Sequence, residues 1–355
     1  MKFSFKKIEN EDKKLFLLSL LLIIVFLISF QLGKYPISFS ELISLLTSKG
    51  IDVFKGILGD DFFYNSIEKS WTNQQEVIFF NVRMPRILLS IMVGGVLSVA
   101  GASYQGVFRN PLASSDIIGA SSGAAFGAAF AILKGQSSMA VTISAFLFSL
   151  GAVFLVTILG GKVKNNKILG LVLAGIMISS LFNSGTSFLK LVADPNDQLP
   201  AITYWLMGSF SGAKKADVQL AFLPMVIGLI PLLFIRWRIN LLTMGDEEAK
   251  TMGIDVQKLR LLIIFCSTLI TAASIAVSGM IGWVSLVIPH FSRMLVGSDY
   301  RKLLPTALVM GSLFLLVVDN ISRLALSSEI PIGILTSFIG APFYFYLILK
   351  EGSKS

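Results

Sequence analysis

Long apolar runs, repeated from one end of the chain to the other, limit this sequence more than any other feature. About ten of them can be marked: Leu15–Leu32, Ile87–Val107, Ile117–Leu133, Met139–Gly160, Ile168–Leu191, Val218–Ile235, Leu259–Val277, Ile281–Val296, Leu303–Ile321 and Pro331–Leu349. A bilayer core takes roughly 20 mostly apolar residues per helix. In lipid a backbone must satisfy its own polar groups, which leaves helices or closed barrels, and runs of this length call for helices. The expected fold is all-α: a single polytopic membrane domain over residues 1–355. Only 14% of the residues are charged, against roughly 25% in a soluble domain, so a water-facing globule is excluded.

Leu15–Leu32 exceeds the roughly 7–15-residue core of a signal peptide and runs into Gln-Leu-Gly-Lys-Tyr-Pro rather than a small-residue cleavage site. It reads as a retained span. The net charge of +9 could indicate nucleic acid, but the positions of the charges argue otherwise. With the N-terminus cytoplasmic and sides alternating, about 19 of the 30 lysines and arginines fall inside, as the positive-inside rule requires. Both termini then lie in the cytoplasm. Residues 33–86 form a long extracytoplasmic loop with an amphipathic stretch near its start, and 236–258 form a cytoplasmic segment. Residues 191–217 read as a turn and a short interfacial helix anchored by Tyr204 and Trp205.

Gly119, Gly123 and Gly127 recur every fourth residue, beside Ala120, Ala124 and Ala128. On a helix this spacing makes a smooth face for close helix packing, which lipid-embedded helices rely on. The Asn110-Pro111 pair breaks the preceding helix. Ser114 or Ser115 is placed to cap the next one, with Asp116 near its positive end. There is no phosphate-binding G-x-x-x-x-G-K-[ST] loop, no H-E-x-x-H and no cysteine cluster, since Cys266 stands alone. No catalytic or metal-binding constellation is expected, and His290 reads as a structural residue. Asp319 and Arg323, four apart on one helix, are expected to pair, because an unpaired charge at that depth is expensive.

Six stretches together carry a resemblance. They are RMPRILLSIMVGGVLSVAGASYQGVFRNPLASSDIIGASSGAAFGA (83–128), LVLAGIMISS (171–180), YWLMGSF (204–210), INLLTMGDEEAKTMGI (239–254), GMIGWVSLVIPHFSRMLVGSDYRKLLP (279–305) and DNISRLALSSEIPIGILTSFIGAPFYFYLIL (319–349). In this order the chain resembles the permease subunits of bacterial ABC importers for iron–siderophores, haem and cobalamin. The resemblance implies a cell-membrane permease that pairs with a second copy or a paralogue. Two ATP-binding subunits lie beneath it, and a substrate-binding protein docks from outside. ATP is used by the partner subunits, and this chain needs no cofactor of its own.

The resemblance also implies roles for particular residues. Arg83, Arg86 and Arg323 are to pair with carboxylates of the binding protein. Asn110 and Leu112 belong to a gate at the inner mouth. Leu242, Gly245, Glu247, Ala249 and Gly253 form the segment that engages the ATPase. At the start of the fifth span Lys167-Ile168-Leu169 lacks the hydroxyl residues that some members show. Ferric siderophore is the first expectation for cargo, then haem, then cobalamin. An ion-coupled secondary transporter is the rival from another class.

Overall fold

The computed structural model describes residues 2–33, 35, 38, 40–45, 47–48, 71–163 and 166–352. All the regular structure among them is helical. In chain order the helices are α1 (Lys2–Gln31), α2 (Asn73–Phe108), α3 (Ala120–Leu133), α4 (Ser138–Gly161), α5 (Lys167–Val192), α6 (Gln198–Met207), α7 (Lys215–Met244), α8 (Asp246–Thr251), α9 (Val256–Ser278), α10 (Val284–Val296), α11 (Tyr300–Leu324) and α12 (Ile332–Gly352). Residues 40–45 and 47–48 are also helical. Much of the expected amphipathic stretch and most of the outer loop lie outside the described residues.

Among the described residues seven helices are long and apolar enough to cross a membrane, namely α1, α2, α4, α5, α7, α9 and α11, and three shorter apolar ones, α3, α10 and α12, bring the set to ten. Each expected span holds one of them. Contacts group the helix ends. Lys302 pairs with Glu11 at 3.0 Å and Asp12 at 3.3 Å, and Lys14 donates to Leu295 O at 2.9 Å. The starts of α1 and α11 and the end of α10 therefore share one surface.

α2 and α9 form the centre. Their membrane windows are 83% and 72% buried, against 11% for α1 and 22% for α7. Small residues let α2 sit there. A Cβ on Gly94 would lie 2.3 Å from Gly311 O of α11, and one on Gly101 only 1.7 Å from Ser285 O of α10. Apolar surface gains nothing by leaving lipid for protein, so van der Waals contact at this range holds the helices together. The outer helices turn Leu, Ile and Phe side chains outward, as at Phe16, Leu17, Phe222 and Phe234.

Three boundaries differ from expectation. α2 begins at Asn73, so residues 73–86 extend the helix rather than the loop. It opens with Thr72 Oγ1 accepting from Gln75 N–H at 3.2 Å, while Thr72 N–H donates to Gln75 Oε1 at 2.8 Å. A wide π-helical turn, Ile78–Arg83, follows, just before Pro85, whose ring disturbs the turn preceding it. The second difference is at α3, which begins at Ala120 rather than Ile117. Its N-cap is Gly119 at φ +77°, and neither Ser114 nor Ser115 caps it. The third is at α10, which begins at Val284 after Gly279 and Trp283, both with positive φ. With 14 residues, α3 rises about 21 Å, short of a core of about 30 Å. Irregular backbone at that depth persists only where protein or an aqueous cavity surrounds it.

Candidate functional site

At the inner end of α2, Arg109 takes the left-handed conformation, φ 50°, ψ 36°. Asn110 N–H donates back to Gln105 O at 3.2 Å, which closes the helix. Asn110 Oδ1 then accepts from Leu112 N–H at 2.9 Å, and Asn110 O from Ala113 N–H at 3.1 Å. This Asx-type turn holds Leu112 outward, 56% exposed. The turn is fixed to α10 by Ser115 Oγ, which donates to Ser285 Oγ at 3.0 Å. Arg293 of α10 also donates to the Gln105 side chain. Asn110 and Leu112 thus lie together at the surface, beside a helix start that the sequence did not reveal.

Beyond this turn a shallow, open groove of about 890 Å³ runs along α5. Asp116, Ser179, Ser180, Asn183, Ser184 and Ser187 supply its polar wall. Asp116 accepts from Ser121. The hydroxyls were the residues missed in reading the sequence. Their signal was present, since 180 and 184, and likewise 179, 183 and 187, repeat at helical spacing. Gly119 does not continue the glycine stripe: its Cβ position meets Ser179 Oγ at 3.0 Å. Gly123 and Gly127 face α4, where a Cβ would lie 2.5 Å from Phe148 O and 2.6 Å from Ser144 O.

The segment 236–258, expected in the cytoplasm, is more ordered than a loop. α7 runs on to Met244, Gly245 turns the chain at φ +143°, and α8 follows. Gly253, at φ +78°, ends it. Leu242 and Ala249 are buried inside the chain, 2% and 0% exposed. They pack the segment down against the rest of the chain. What α8 turns outward is Glu247 and Lys250, paired at 2.7 Å; the Glu247 carboxylate holds the Lys250 ammonium pKa above its ordinary value. Asp246 turns the other way and binds Arg260 of α9 at 2.8 and 3.0 Å.

The three arginines expected to dock a partner are buried, at 5%, 4% and 8% exposure for Arg83, Arg86 and Arg323. All three are engaged within the chain. Arg83 donates to Phe30 O at 2.6 Å and to Tyr35 O. Arg86 pairs with Asp319 at 2.8 Å and grips both oxygens of Glu329 at 2.9 and 2.8 Å. Arg323 lies 3.4 Å from Asp319 and donates to Ser29 O, Leu32 O and Asn320. The expected Asp319–Arg323 pair exists, but Arg86 is the nearer partner. Cations here satisfy carbonyls left open at the end of α1. In this conformation they form a brace rather than a free docking surface. Among the described residues no group of three metal-ligating side chains occurs.

Comparison with known proteins fixes the family. Residues 21–350 match the FecCD transport family. The chain belongs to the FecCD transport family. The molybdate import system permease protein MolB of Haemophilus influenzae is 39% identical over 342 residues, 96% of this chain and 97% of that one. A probable iron chelatin transport system permease protein of Helicobacter pylori is 38% identical over 276 residues, 77% and 83% of the two chains. A solved ABC transporter assigned to the metal-chelate type, in an inward-facing conformation, superposes with a TM-score of 0.82 at 38% identity, covering 96% of this chain and 99% of that one. This FecCD chain is accordingly a permease component of an ABC importer, a multi-pass protein of the cell membrane.

Proposed function

We propose that this chain lines the translocation path of an ATP-driven importer for a ferric chelate, with an iron–siderophore as the first candidate. The hydroxyl-lined groove on α5 carries this reading. About 890 Å³ on one chain suits a bulky cargo better than a small ion, and apart from Asp116 the polar groups of the wall are hydroxyls and one amide, which hold a passing chelate only weakly. A second permease, a copy or a paralogue, closes the groove from its open side. Two ATP-binding subunits engage the outward face of α8, and nucleotide hydrolysis is theirs. A binding protein docks on the outer face braced by Arg83, Arg86 and Arg323. Direct pairing there would have Arg86 exchange Glu329, whose side chain is 32% exposed, for a carboxylate of the partner.

A second reading, molybdate, is favoured by the relative matched over nearly its whole length. Proteoliposomes holding this chain with its cognate ATPase and binding protein would separate the two. Uptake of ⁵⁵Fe-loaded siderophore that requires ATP and is indifferent to excess molybdate is expected. ATP-dependent uptake of ⁹⁹Mo-molybdate alone would replace the first reading with the second, and uptake without the ATPase would overturn both.

A further inference from the structure

Arg109 occupies a backbone position that favours glycine. Its φ of +50° at the residue after α2 is the left-handed end that glycine takes at least cost. Strain of this kind persists where the surrounding structure over-determines it, and part of that is the Asn110 N–H bond to Gln105 O that closes α2. Here the side chain reaches across to the cytoplasmic segment, with Nη2 lying 3.6 Å from Asp246 Oδ1. Asp246 is the first residue of α8 and is held in turn by two bonds from Arg260 of α9. Gly245, just before it, has its Cβ position filled by the Glu248 carboxylate, which fixes how α8 leaves α7. One carboxylate therefore touches α8, α9 and the residue that immediately precedes the Asn110–Leu112 turn.

We propose that Arg109 is a positioning residue that ties the inner-mouth turn to α8 through Asp246, so that a displacement of α8 carries the turn with it. This rests on the reading that α8 meets the ATPase. The pair is the only ion-pair contact between the turn's lead residue and α8 among the described residues. Both side chains are more than a third exposed, at 39% and 35%, so the pair adds little to fold stability. Its effect is on which segments move together. A glycine at 109 keeps the backbone and removes only the link.

The test places spin labels at Leu112→Cys and Thr251→Cys, after Cys266→Ala, in the chain assembled with its ATPase in lipid nanodiscs. Distances are read with and without ATP. The expected result is an ATP-independent Leu112–Thr251 distance in the unaltered chain and in Arg109→Lys, and an ATP-dependent one in Arg109→Gly. Arg109→Gly should also unfold at no lower temperature than its parent, as the backbone argument demands. Three results would overturn the proposal: an ATP-independent distance in Arg109→Gly, Arg109→Lys behaving like the glycine variant, or a lower unfolding temperature for Arg109→Gly. Capture of the ATPase by the labelled chain separates this from the reading beneath it. Capture that is lost, or that is untouched by Glu247→Lys, would overturn both, whereas intact capture with an ATP-independent distance in Arg109→Gly overturns the link alone.

Discussion

Gly101→Ala should loosen the contact between α2 and α10, and the size of the effect can be worked from the geometry. The added Cβ would stand 1.7 Å from Ser285 O and 2.5 Å from Ser285 C. Both neighbours are backbone, so no side chain can swing aside. Reaching ordinary contact requires the two helices to part by about 1.7 Å, and overpacking of this kind costs about 1–3 kcal/mol. Gly151 of α4 is the control, since a Cβ there meets nothing within 4 Å. Gly151→Ala should gain about 0.5–1 kcal/mol from reduced backbone freedom in the unfolded chain. The two variants should therefore differ by about 1.5–4 kcal/mol. At roughly 2 °C per kcal/mol for a chain this long, that is about 3–8 °C between midpoints of thermal unfolding in detergent. Because Ser285 also holds Ser115 of the inner-mouth loop, uptake should fall in the first variant and not in the second. Equal midpoints for the two would refute the claim that α2 is seated by backbone contact.

Two further outcomes follow from the charged groups. Arg86→Gln leaves Asp319 buried with only Arg323 at 3.4 Å; removing one member of a buried pair costs about 3–5 kcal/mol, whereas Glu329→Gln, at the accessible end, should cost within about 1 kcal/mol. Thermal unfolding of the two single variants checks this order, and the reverse order would show that Glu329 is the main partner. At the cytoplasmic start of α11, Arg301, aided by the Asn240 amide and against an opposing effect of burial, holds the Asp299 carboxyl down to about 2, below an unfolded value of about 3.9. A carboxylate depressed on folding stabilises the fold above its unfolded pKa and loses that contribution as pH falls through the folded one. The stability gap between the unaltered chain and Asp299→Asn should thus be constant above about pH 4 and shrink toward pH 2. A gap independent of pH in that window would contradict the pairing.

The ten spans were legible in the sequence because each depends on local composition. A backbone in lipid satisfies itself within its own helix, so an apolar run of sufficient length announces a span wherever its neighbours lie. Gly123 and Gly127 were legible for the same reason, as their four-residue spacing is a property of one helix. What only the tertiary structure decided is where those helices stop and whom their charges meet. α3 starts at Ala120 after Gly119 and α10 at Val284 after Trp283, both preceding residues at positive φ and neither start carrying a side-chain cap that the sequence could announce. Arg86 finds Asp319 and Glu329 across 233 and 243 residues of chain, and Arg109 finds Asp246 across the whole of α3 to α7. An ion pair is a fact about distance in space, and the chain's local pattern holds no record of it until the helices have packed.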